Sequence, residues 1–279
     1  LYVDGAKPER WDHVFASVQS LAGINLDEMN PRHFEVLIID EFHHAAAPTY
    51  TRLLEYLNPS LLLGLTATPE RTDGKSVLDW FDGRMAAEVR LWEAIDEGEL
   101  VPFHYFGVAD NIDLAGLSWK RGGYLPGELE FVYTADDARV SKIVHAINSR
   151  ITDPRKMRAL GFCVSIAHAK FMADRFNRLG LMSVAITGET NSAERDAALR
   201  GLREGTLNVV FAVDVFNEGV DVPEVDTVMF LRPTESATLF LQQLGRGLRR
   251  THGKACLTVL DFIGRQHAQF RFDRRFQAI

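Results

Sequence analysis

The sequence predicts an α/β protein with two domains, each built around a parallel sheet. Apolar, β-branched runs alternate with amphipathic helical stretches, which is the pattern of consecutive βαβ units. A length of 279 residues exceeds one ordinary domain, and 46% of the residues are hydrophobic, enough for two buried cores. Right-handed crossovers between parallel strands then place helices on both faces of each sheet.

The first domain, over about 1–100, shows only two strands. They lie at 34–41 (FEVLIIDE) and 61–68 (LLLGLTAT), and the stretch between them predicts a helix over about 49–57. A three-layer domain needs more than two strands, so we expect this domain to be truncated at its N-terminus. The chain also starts on Leu1 rather than methionine, which we interpret as the start of a piece of a longer protein.

A connecting segment over 101–133 and a complete second domain over 134–279 follow. The segment contains a strand or ribbon at 101–114 and a stretch rich in turn-forming residues at 119–130. The second domain has five predicted strands separated by helices, enough for a complete three-layer fold. The strands are expected at 159–165, 182–187, 208–214, 226–231 and 255–261, and the helices at 135–151, 168–179, 192–204 and 236–249.

Composition argues against a membrane protein and against a disulfide-stabilised one. No apolar run approaches the roughly 20 residues that cross a bilayer, and no basic stretch precedes a signal-type apolar segment. Cys163 and Cys256 lie in apolar stretches, which indicates buried thiols in a reducing compartment. We therefore expect a cytoplasmic protein with no membrane partner.

The net charge of −7 hides an asymmetry along the chain. Residues 1–138 carry 10 Lys/Arg and 24 Asp/Glu, a balance of −14, whereas residues 139–205 carry 12 and 6, a balance of +6. Residues 206–279 carry 9 and 8, a balance of +1. Because phosphate backbones are bound by local fields, the basic stretch 139–205 is a candidate nucleic-acid surface. A solvated helical face explains the same charges equally well.

An acid pair, Asp40 and Glu41, follows the first predicted strand, and His43 comes two residues later. In an open parallel sheet, ligands bind outside the carboxyl ends of the strands. There Asp40 can hold Mg²⁺ through its water shell, and Glu41 can orient and deprotonate an attacking water. Alternatively, the pair is only the polar start of a helix. A zinc site at His43 and His44 is disfavoured because adjacent histidines are expected to point in different directions and because the sequence offers no second ligand pair.

Two turns follow other strands. Thr66 and Thr68, in the TATP turn, can link a nucleotide site to a nucleic-acid groove through hydrogen bonds. In the segment 217–223 (NEGVDVP), Gly219 allows a ligand to approach the backbone and Asp221 can bind a ribose hydroxyl. An ordinary turn beside a proline is the alternative for both.

The segment 242–250 (QQLGRGLRR) carries most of the functional signal. On a helix, Arg246 and Arg249 would project from one face and converge on an anion such as a γ-phosphate. A solvated basic helix end is the alternative. Gly245 and Gly247 disfavour a purely structural helix, because each weakens a helix by about 1 kcal/mol.

In order and spacing, these segments resemble the motifs of superfamily 2 helicases. DEFH matches motif II, the Walker B box, TATP matches motif III, NEGVDVP motif V and QQLGRGLRR motif VI. The resemblance runs over nearly the whole chain. It implies two RecA-like parallel-sheet domains, the tandem P-loop NTPase fold, with ATP and Mg²⁺ as cofactors and nucleic acid as the partner.

The resemblance also assigns roles to residues. Implied catalytic residues are Asp40, which also holds Mg²⁺ through water, Glu41, His43, Gln242, Arg246 and Arg249. The coupling residues are Thr66 and Thr68, and the nucleotide-binding residues are Gly219 and Asp221. The segments ASVQSL, FCVSIAHA and TGETNSAER resemble nucleic-acid-contacting segments, which implies contacts at Ser17, Gln19, Ser165, His168, Gly188 and Arg195.

The sequence departs from the family pattern in two places. A phosphate-binding loop, G-x-x-x-x-G-K-[ST], should precede motif II, but the only Gly-Lys-Ser, at 74–76, follows motif III. Pro69 stands five positions before that glycine, so the triplet lacks the spacing of such a loop. We therefore expect the true loop upstream of Leu1 and little ATP hydrolysis by residues 1–279 alone. Val213 also replaces a threonine that often contacts a nucleic-acid phosphate in the family.

The leading hypothesis is an ATP-dependent helicase or translocase acting on nucleic acid, with DNA favoured over RNA. More narrowly, the sequence is similar to bacterial DEAD/DEAH-box proteins that carry an uncharacterised C-terminal domain, often with a phospholipase-D-type nuclease domain, and to restriction-subunit motors. One alternative is therefore the motor of a restriction or defence nuclease. The other is a non-hydrolysing nucleic-acid clamp, against which the intact acid pair and motif VI arginines argue.

Overall fold

The computed structural model shows two compact units, Leu1–Glu88 and Val89–Ile279. Within them the structure describes residues 1–3, 7–67, 77–120, 123–134, 137–213 and 221–276. Over these described ranges no helix has both the length and the apolar character needed to span a bilayer.

The first unit contains a two-stranded parallel sheet flanked by short helices. Its elements are α1 (Val18–Ala22), β1 (Val36–Ile39), α2 (Pro48–Tyr56) and β2 (Leu61–Gly64). The two strands pair in parallel over their full length, and α2 connects them. Both strands and this helix are confirmed. Pro48 begins α2, a position where its missing N–H costs no helical hydrogen bond.

Only one face of this small sheet is covered among the described residues. A compact cluster of Phe42, Ala45, Leu54 and Val77 packs with the inward side chains. Gly64 lies close to this cluster, because a Cβ there would be 2.7 Å from the ring of Phe42. The opposite face exposes four large apolar side chains, those of Val36, Ile38, Leu61 and Leu63.

The second unit contains a six-stranded parallel sheet. In chain order its elements are α3 (Leu91–Asp96), β3 (Phe103–Asp113), β4 (Trp119–Lys120), β5 (Gly123–Tyr124), α4 (Pro126–Thr134), α5 (Asp137–Arg150), β6 (Ala159–Phe162), α6 (Ile166–Arg178), β7 (Ser183–Ile186), α7 (Ser192–Glu204), β8 (Val209–Ala212), β9 (Thr227–Phe230), α8 (Ala237–Leu248) and β10 (Leu257–Arg265). The strand order is β3–β10–β9–β6–β8–β7, and β4 pairs with β5 in a separate hairpin.

Helices cover both faces of this sheet, which confirms the three-layer α/β fold and the five strands expected between 159 and 261. Side chains of β8 alternate between the faces: Val209 and Phe211 pack with α5 and α6, and Val210 and Ala212 pack with α7 and α8. Because both faces are buried, the strands read as continuous apolar runs rather than as alternating ones.

The division of the chain differs from the sequence-based one at the connecting segment. β3 is the edge strand of the second sheet and pairs in parallel with β10. Leu91 and Leu100, expected in the first domain, pack against the core of the second unit. The Val101 N–H also donates to the Leu248 carbonyl at 2.9 Å. The first unit therefore ends at Glu88 rather than near residue 100.

Candidate nucleotide and nucleic-acid sites

The acid pair lies immediately after β1. The Glu41 N–H donates to Asp40 Oδ1 at 2.9 Å, which orients the exposed Asp40 carboxylate. Glu41 adopts left-handed backbone angles, φ 51° and ψ 47°, which non-glycine residues rarely adopt. Strained backbone of this kind persists where the surroundings hold it, and it is concentrated at functional sites.

His43 brings motif II and motif III together within the first unit. Its Nδ1 lies 3.2 Å from Thr66 Oγ1 and 3.3 Å from Glu41 Oε2, and all three side chains are half-buried. With a proton on Nδ1, the imidazole can donate a hydrogen bond to the acid or to the hydroxyl. Without that proton, Nδ1 can accept a hydrogen bond from the hydroxyl. This contact links the residues after β1 to those after β2.

The expected divergence of the adjacent histidines is wrong. The rings of His43 and His44 lie 4.1 Å apart between centroids, at 43°. The short 3₁₀ turn that follows Glu41 has three residues per turn rather than an extended backbone, so neighbouring side chains can approach. In the part of the chain that the structure describes, no group of three or more His, Cys, Asp or Glu side chains could hold a metal ion. Thr68 and Lys75, named in the sequence interpretation, lie outside the described residues.

Motif VI occupies the end of α8, but its arginines do not share a helical face. Gln242 and Arg246 lie one turn apart and are half-buried, whereas Arg249 caps the helix in an extended conformation, φ −63° and ψ 140°. The prediction that Arg246 and Arg249 project from one helix face is therefore wrong. The reason is a long-range pairing: Arg249 forms an antiparallel bridge with Leu100, which ends the helix at Leu248.

The two consecutive arginines after α8 have different partners. The Arg249 guanidinium forms an ion pair with Asp221, so these two predicted nucleotide-site residues contact each other. The Arg250 guanidinium donates to the Gly98 carbonyl. Both arginine side chains remain accessible. Gly219, the other predicted nucleotide-binding residue of motif V, lies outside the described residues.

The two glycines of motif VI are not equivalent. A Cβ on Gly247 would overlap the Leu257 side chain and lie 3.1 Å from that of Val228, so this glycine lets α8 pack closely on the sheet. A Cβ on Gly245 would meet nothing within 4 Å. The argument that a structural helix has no use for glycine therefore holds for Gly245 and fails for Gly247.

Most of the predicted nucleic-acid contacts are accessible. Ser17 caps α1, where its Oγ accepts from the Ser20 N–H at 3.1 Å, and Gln19 is exposed on that helix. In the second unit, Ser165 caps α6 and Gly188 is exposed in the turn after β7. Both follow parallel strands, so they lie at the carboxyl edge of the same sheet. Arg195 is half-buried on α7, and its Nε has no hydrogen-bond partner among the described residues.

His168 does not belong to that accessible set, which corrects its assignment as a nucleic-acid contact. Its side chain is fully buried, with Nε2 3.1 Å from Arg139 Nη1 and Nδ1 3.3 Å from the Val164 amide nitrogen. Burial, reinforced by the Arg139 cation, lowers the pKa of His168 well below its usual value. The imidazole is therefore a neutral core group that positions the start of α6.

Arg139 was also misread by charge counting. It is buried, and its Nε forms a 2.7 Å ion pair with the buried carboxylate of Asp110. It therefore adds no field to the basic stretch 139–205. The helical period could have shown this, because Arg139 lies four residues before Ile143 and eight before Ile147, on the apolar face of α5.

Two protein families match this chain. The family described as "Type III restriction enzyme, res subunit" matches residues 2–71, and the family "Helicase conserved C-terminal domain" matches residues 139–251. The two matches fall in different structural units, in the order that the motifs indicate.

Two curated relatives support the same grouping. The chain is 32% identical over 260 residues to the Schizosaccharomyces pombe protein named as the mitochondrial ATP-dependent helicase irc3, covering 90% of this chain and 42% of that protein. It is 26% identical over 274 residues to the Sulfurisphaera tokodaii protein named DNA 3'-5' translocase XPB2, covering 87% and 61%. The chain spans about half or less of the first curated relatives it matches, with shares of 50%, 42% and 37%.

A solved structure has the same fold. It is a fragment of the HsdR subunit assigned to a type I restriction enzyme from Vibrio vulnificus YJ016, with a TM-score of 0.69 and 25% identity. The match covers 89% of this chain and 47% of that chain. Taken together, the ordered motifs, the two family matches and this fold show that the chain belongs to the superfamily 2 helicases and is related to the restriction-type members.

Proposed function

We propose that the chain is the motor portion of an ATP-dependent helicase or translocase that moves on nucleic acid. The position of His43 carries the proposal: its Nδ1 lies within 3.3 Å of both the Glu41 carboxylate and the Thr66 hydroxyl. A side chain that contacts the catalytic acid and the turn after the next strand can transmit the state of the nucleotide site. Coupling of hydrolysis to movement needs such a link.

The two carboxylates of motif II have separate tasks in this proposal. The exposed Asp40 suits Mg²⁺, which takes few carboxylate ligands and keeps several waters, and the bound ion would neutralise charge on the phosphates. Glu41 accepts a proton from the attacking water. The Asp-Glu-x-His order at 40–43 fits the DEAD/DEAH-box class.

The other predicted catalytic side chains act on the nucleotide from motifs V and VI. Gln242, Arg246 and Arg249 contact the phosphates, and Asp221 contacts the ribose together with Gly219. Because Arg249 is paired with Asp221, phosphate oxygens must replace that carboxylate as its partner when ATP binds. Nucleotide binding then frees Asp221 for the ribose.

Nucleic acid is contacted in each unit by the predicted residues that are not buried: Ser17 and Gln19 in the first unit, and Ser165, Gly188 and Arg195 in the second. DNA is favoured over RNA because the Sulfurisphaera tokodaii relative is named a DNA translocase. The likeness to a restriction-enzyme subunit favours a second candidate function, the motor of a restriction nuclease whose nuclease domain lies elsewhere in the full-length protein. The free thiols of Cys163 and Cys256 fit a cytoplasmic location for either function.

The test is Glu41→Gln in the full-length protein. We expect ATP turnover to fall about 10³-fold or more while ATP binding persists, because the base is lost and Asp40 is kept. Turnover is measured with single-stranded DNA, duplex DNA and RNA, and nucleotide binding by fluorescence titration. Glu55→Gln, at an exposed position of α2, is the matched control. Retained turnover in Glu41→Gln, or wild-type turnover that no nucleic acid stimulates, would contradict the proposal.

A further inference from the structure

Lys254 lies on the loop between α8 and β10 and donates to three main-chain carbonyls. Its Nζ is 2.6 Å from the Gly247 oxygen, 2.9 Å from the Arg249 oxygen and 2.9 Å from the Pro223 oxygen. Two of these carbonyls belong to the end of motif VI, and the third belongs to motif V. A single side chain thus joins the two motifs that supply Asp221 and Arg249.

The number of acceptors matches a charged lysine and not a neutral one. An ammonium has three N–H donors, one for each carbonyl, whereas a neutral amine has two. The last carbonyls of a helix have no partner within it, and their partial negative charge favours a cation. Lys254 therefore supplies a C-terminal cap to α8 that a hydroxyl or amide side chain could not supply in full.

The surroundings of Lys254 are charged but largely paired. Its titratable neighbours are Asp226 and Glu224, on the segment before β9, and Cys256, before β10. Asp226 is close to Arg158, which precedes β6, and Glu224 lies 3.7 Å from Arg203 of α7. The Arg249–Asp221 ion pair completes the set. Burial lowers the pKa of Lys254 to about 8, although Asp226, Glu224 and Cys256 act in the opposite direction.

We propose that Lys254 is a positioning residue of the ATP site, which holds the backbone of Arg249 against the motif V segment and so fixes where the arginine meets the nucleotide. The proposal rests on the proposed ATPase function. Its geometric basis is specific to this position: Arg249 follows the last residue of α8 in an extended conformation, so the helix does not continue through it. The carbonyl of Arg249 is instead held by Lys254, and its side chain by Asp221.

The test compares Lys254→Met, which keeps the apolar stem, with Lys254→Arg, which keeps the charge, in the full-length protein. We expect Lys254→Met to lower kcat about 10-fold or more, because small displacements of a catalytic group are costly. The KM for ATP should change less than about 3-fold, because the interaction is made chiefly in the transition state. Lys254→Arg should restore part of kcat. Lys120→Met, an exposed lysine on β4, is the control, and equal kcat in the two methionine variants would overturn the proposal.

The pH profile separates positioning from stability. Wild-type kcat should fall as pH rises through about 8, when Lys254 loses its third donor, and Lys254→Arg should lack this step. Stability should change in the opposite direction. Because the folded pKa lies below the unfolded one, the unfolded chain binds more protons between the two values, and the contribution of Lys254 to stability rises with pH. A wild-type step that persists in Lys254→Arg would contradict the assignment.

A readout without activity distinguishes failure of this proposal from failure of the proposed function. If the wild-type protein hydrolyses no ATP, the ATPase proposal fails. The hydrogen bonds by which Lys254 joins motifs V and VI are then tested by amide hydrogen exchange. In Lys254→Met, amides of residues 221–226 should exchange about 10-fold faster or more than in Lys120→Met, because local opening becomes easier. Equal exchange rates in the two variants would contradict the claim that Lys254 holds the motif V segment against motif VI.

Discussion

The two units of the chain use the same βα pattern but differ in how their sheets are covered. In the first unit, the described sheet has two strands, and alternate side chains such as Ile38 and Leu61 are more than half exposed. In the second unit, six strands lie between two layers of helices, and every residue of β6, β8 and β9 is buried. The acid pair belongs to the first unit, and the motif VI arginines belong to the second.

The predicted catalytic residues of the two units are held by different kinds of contact. Glu41 and His43 are held within the small first unit, by a strained turn and by a hydrogen bond to Thr66 after the neighbouring strand. Arg249 is held by long-range contacts, a bridge to Leu100 and an ion pair with Asp221. Changes in the core of the second unit should therefore affect stability, whereas changes on the open face of the first should not.

Leu160→Ala and Leu61→Ala provide the sharpest comparison of the two sheets. Leu160 on β6 is fully buried, and its truncation should cost about 2–5 kcal/mol of unfolding free energy. Leu61 on β2 is 55% exposed, and its truncation should cost about 0.5 kcal/mol or less. Urea unfolding of residues 1–279, followed by circular dichroism and intrinsic fluorescence, measures both values. Similar losses at the two positions would show that the open face is covered in solution.

Arg249→Ala and Arg250→Ala test whether the second unit positions one arginine for catalysis. In the full-length protein, Arg249→Ala should lower ATP turnover by about 10²-fold or more, since arginine fingers contribute about 10³–10⁵ in related phosphoryl transfer. Arg250→Ala should cost far less, because that guanidinium donates to the Gly98 carbonyl instead. Steady-state ATPase rates decide between them. Equal losses would mean that general positive charge acts here rather than one positioned side chain.

The elements that the sequence predicted are those with local signatures. Buried parallel strands such as β8 and β9 are continuous apolar runs, and amphipathic helices such as α6 and α7 have a clear period, so both follow from nearest neighbours in the chain. β3 was recognised as a possible strand. Its place in the second sheet was not recognised, because pairing with β10 joins residues about 150 positions apart.

The parts of the site that sequence reasoning missed depend on such distant contacts. The helical period places Arg249 beside Arg246, but the bridge to Leu100 ends the helix first. A histidine in a motif IV segment suggests an accessible ligand, but Arg139 of α5 and Tyr133 of α4 pack against the buried His168. The cap formed by Lys254 has no sequence pattern at all, because its acceptors are carbonyls, which every residue carries.

The smallest expected effect concerns the nucleic-acid surface of the second unit. Arg139 is buried and paired, so the field at 139–205 must come from the other basic groups. Among the predicted contacts of the second unit, Arg195 is the one that carries a positive charge. Arg195→Glu in residues 89–279 should weaken single-stranded DNA binding several-fold and reduce the salt-dependence slope by about 1, as loss of one phosphate contact does.

Arg274→Glu, an equal charge reversal at an exposed position outside the basic stretch, is the matched control for Arg195→Glu. Fluorescence anisotropy at several salt concentrations measures the affinity and slope of both variants. Either charge reversal would weaken a long-range electrostatic field, whereas only Arg195→Glu would remove a direct phosphate contact. A larger effect of Arg195→Glu on binding therefore indicates direct contact. Equal weakening by the two reversals would favour a solvated basic face. The second unit would then carry the predicted nucleotide-site arginines without a phosphate contact at Arg195.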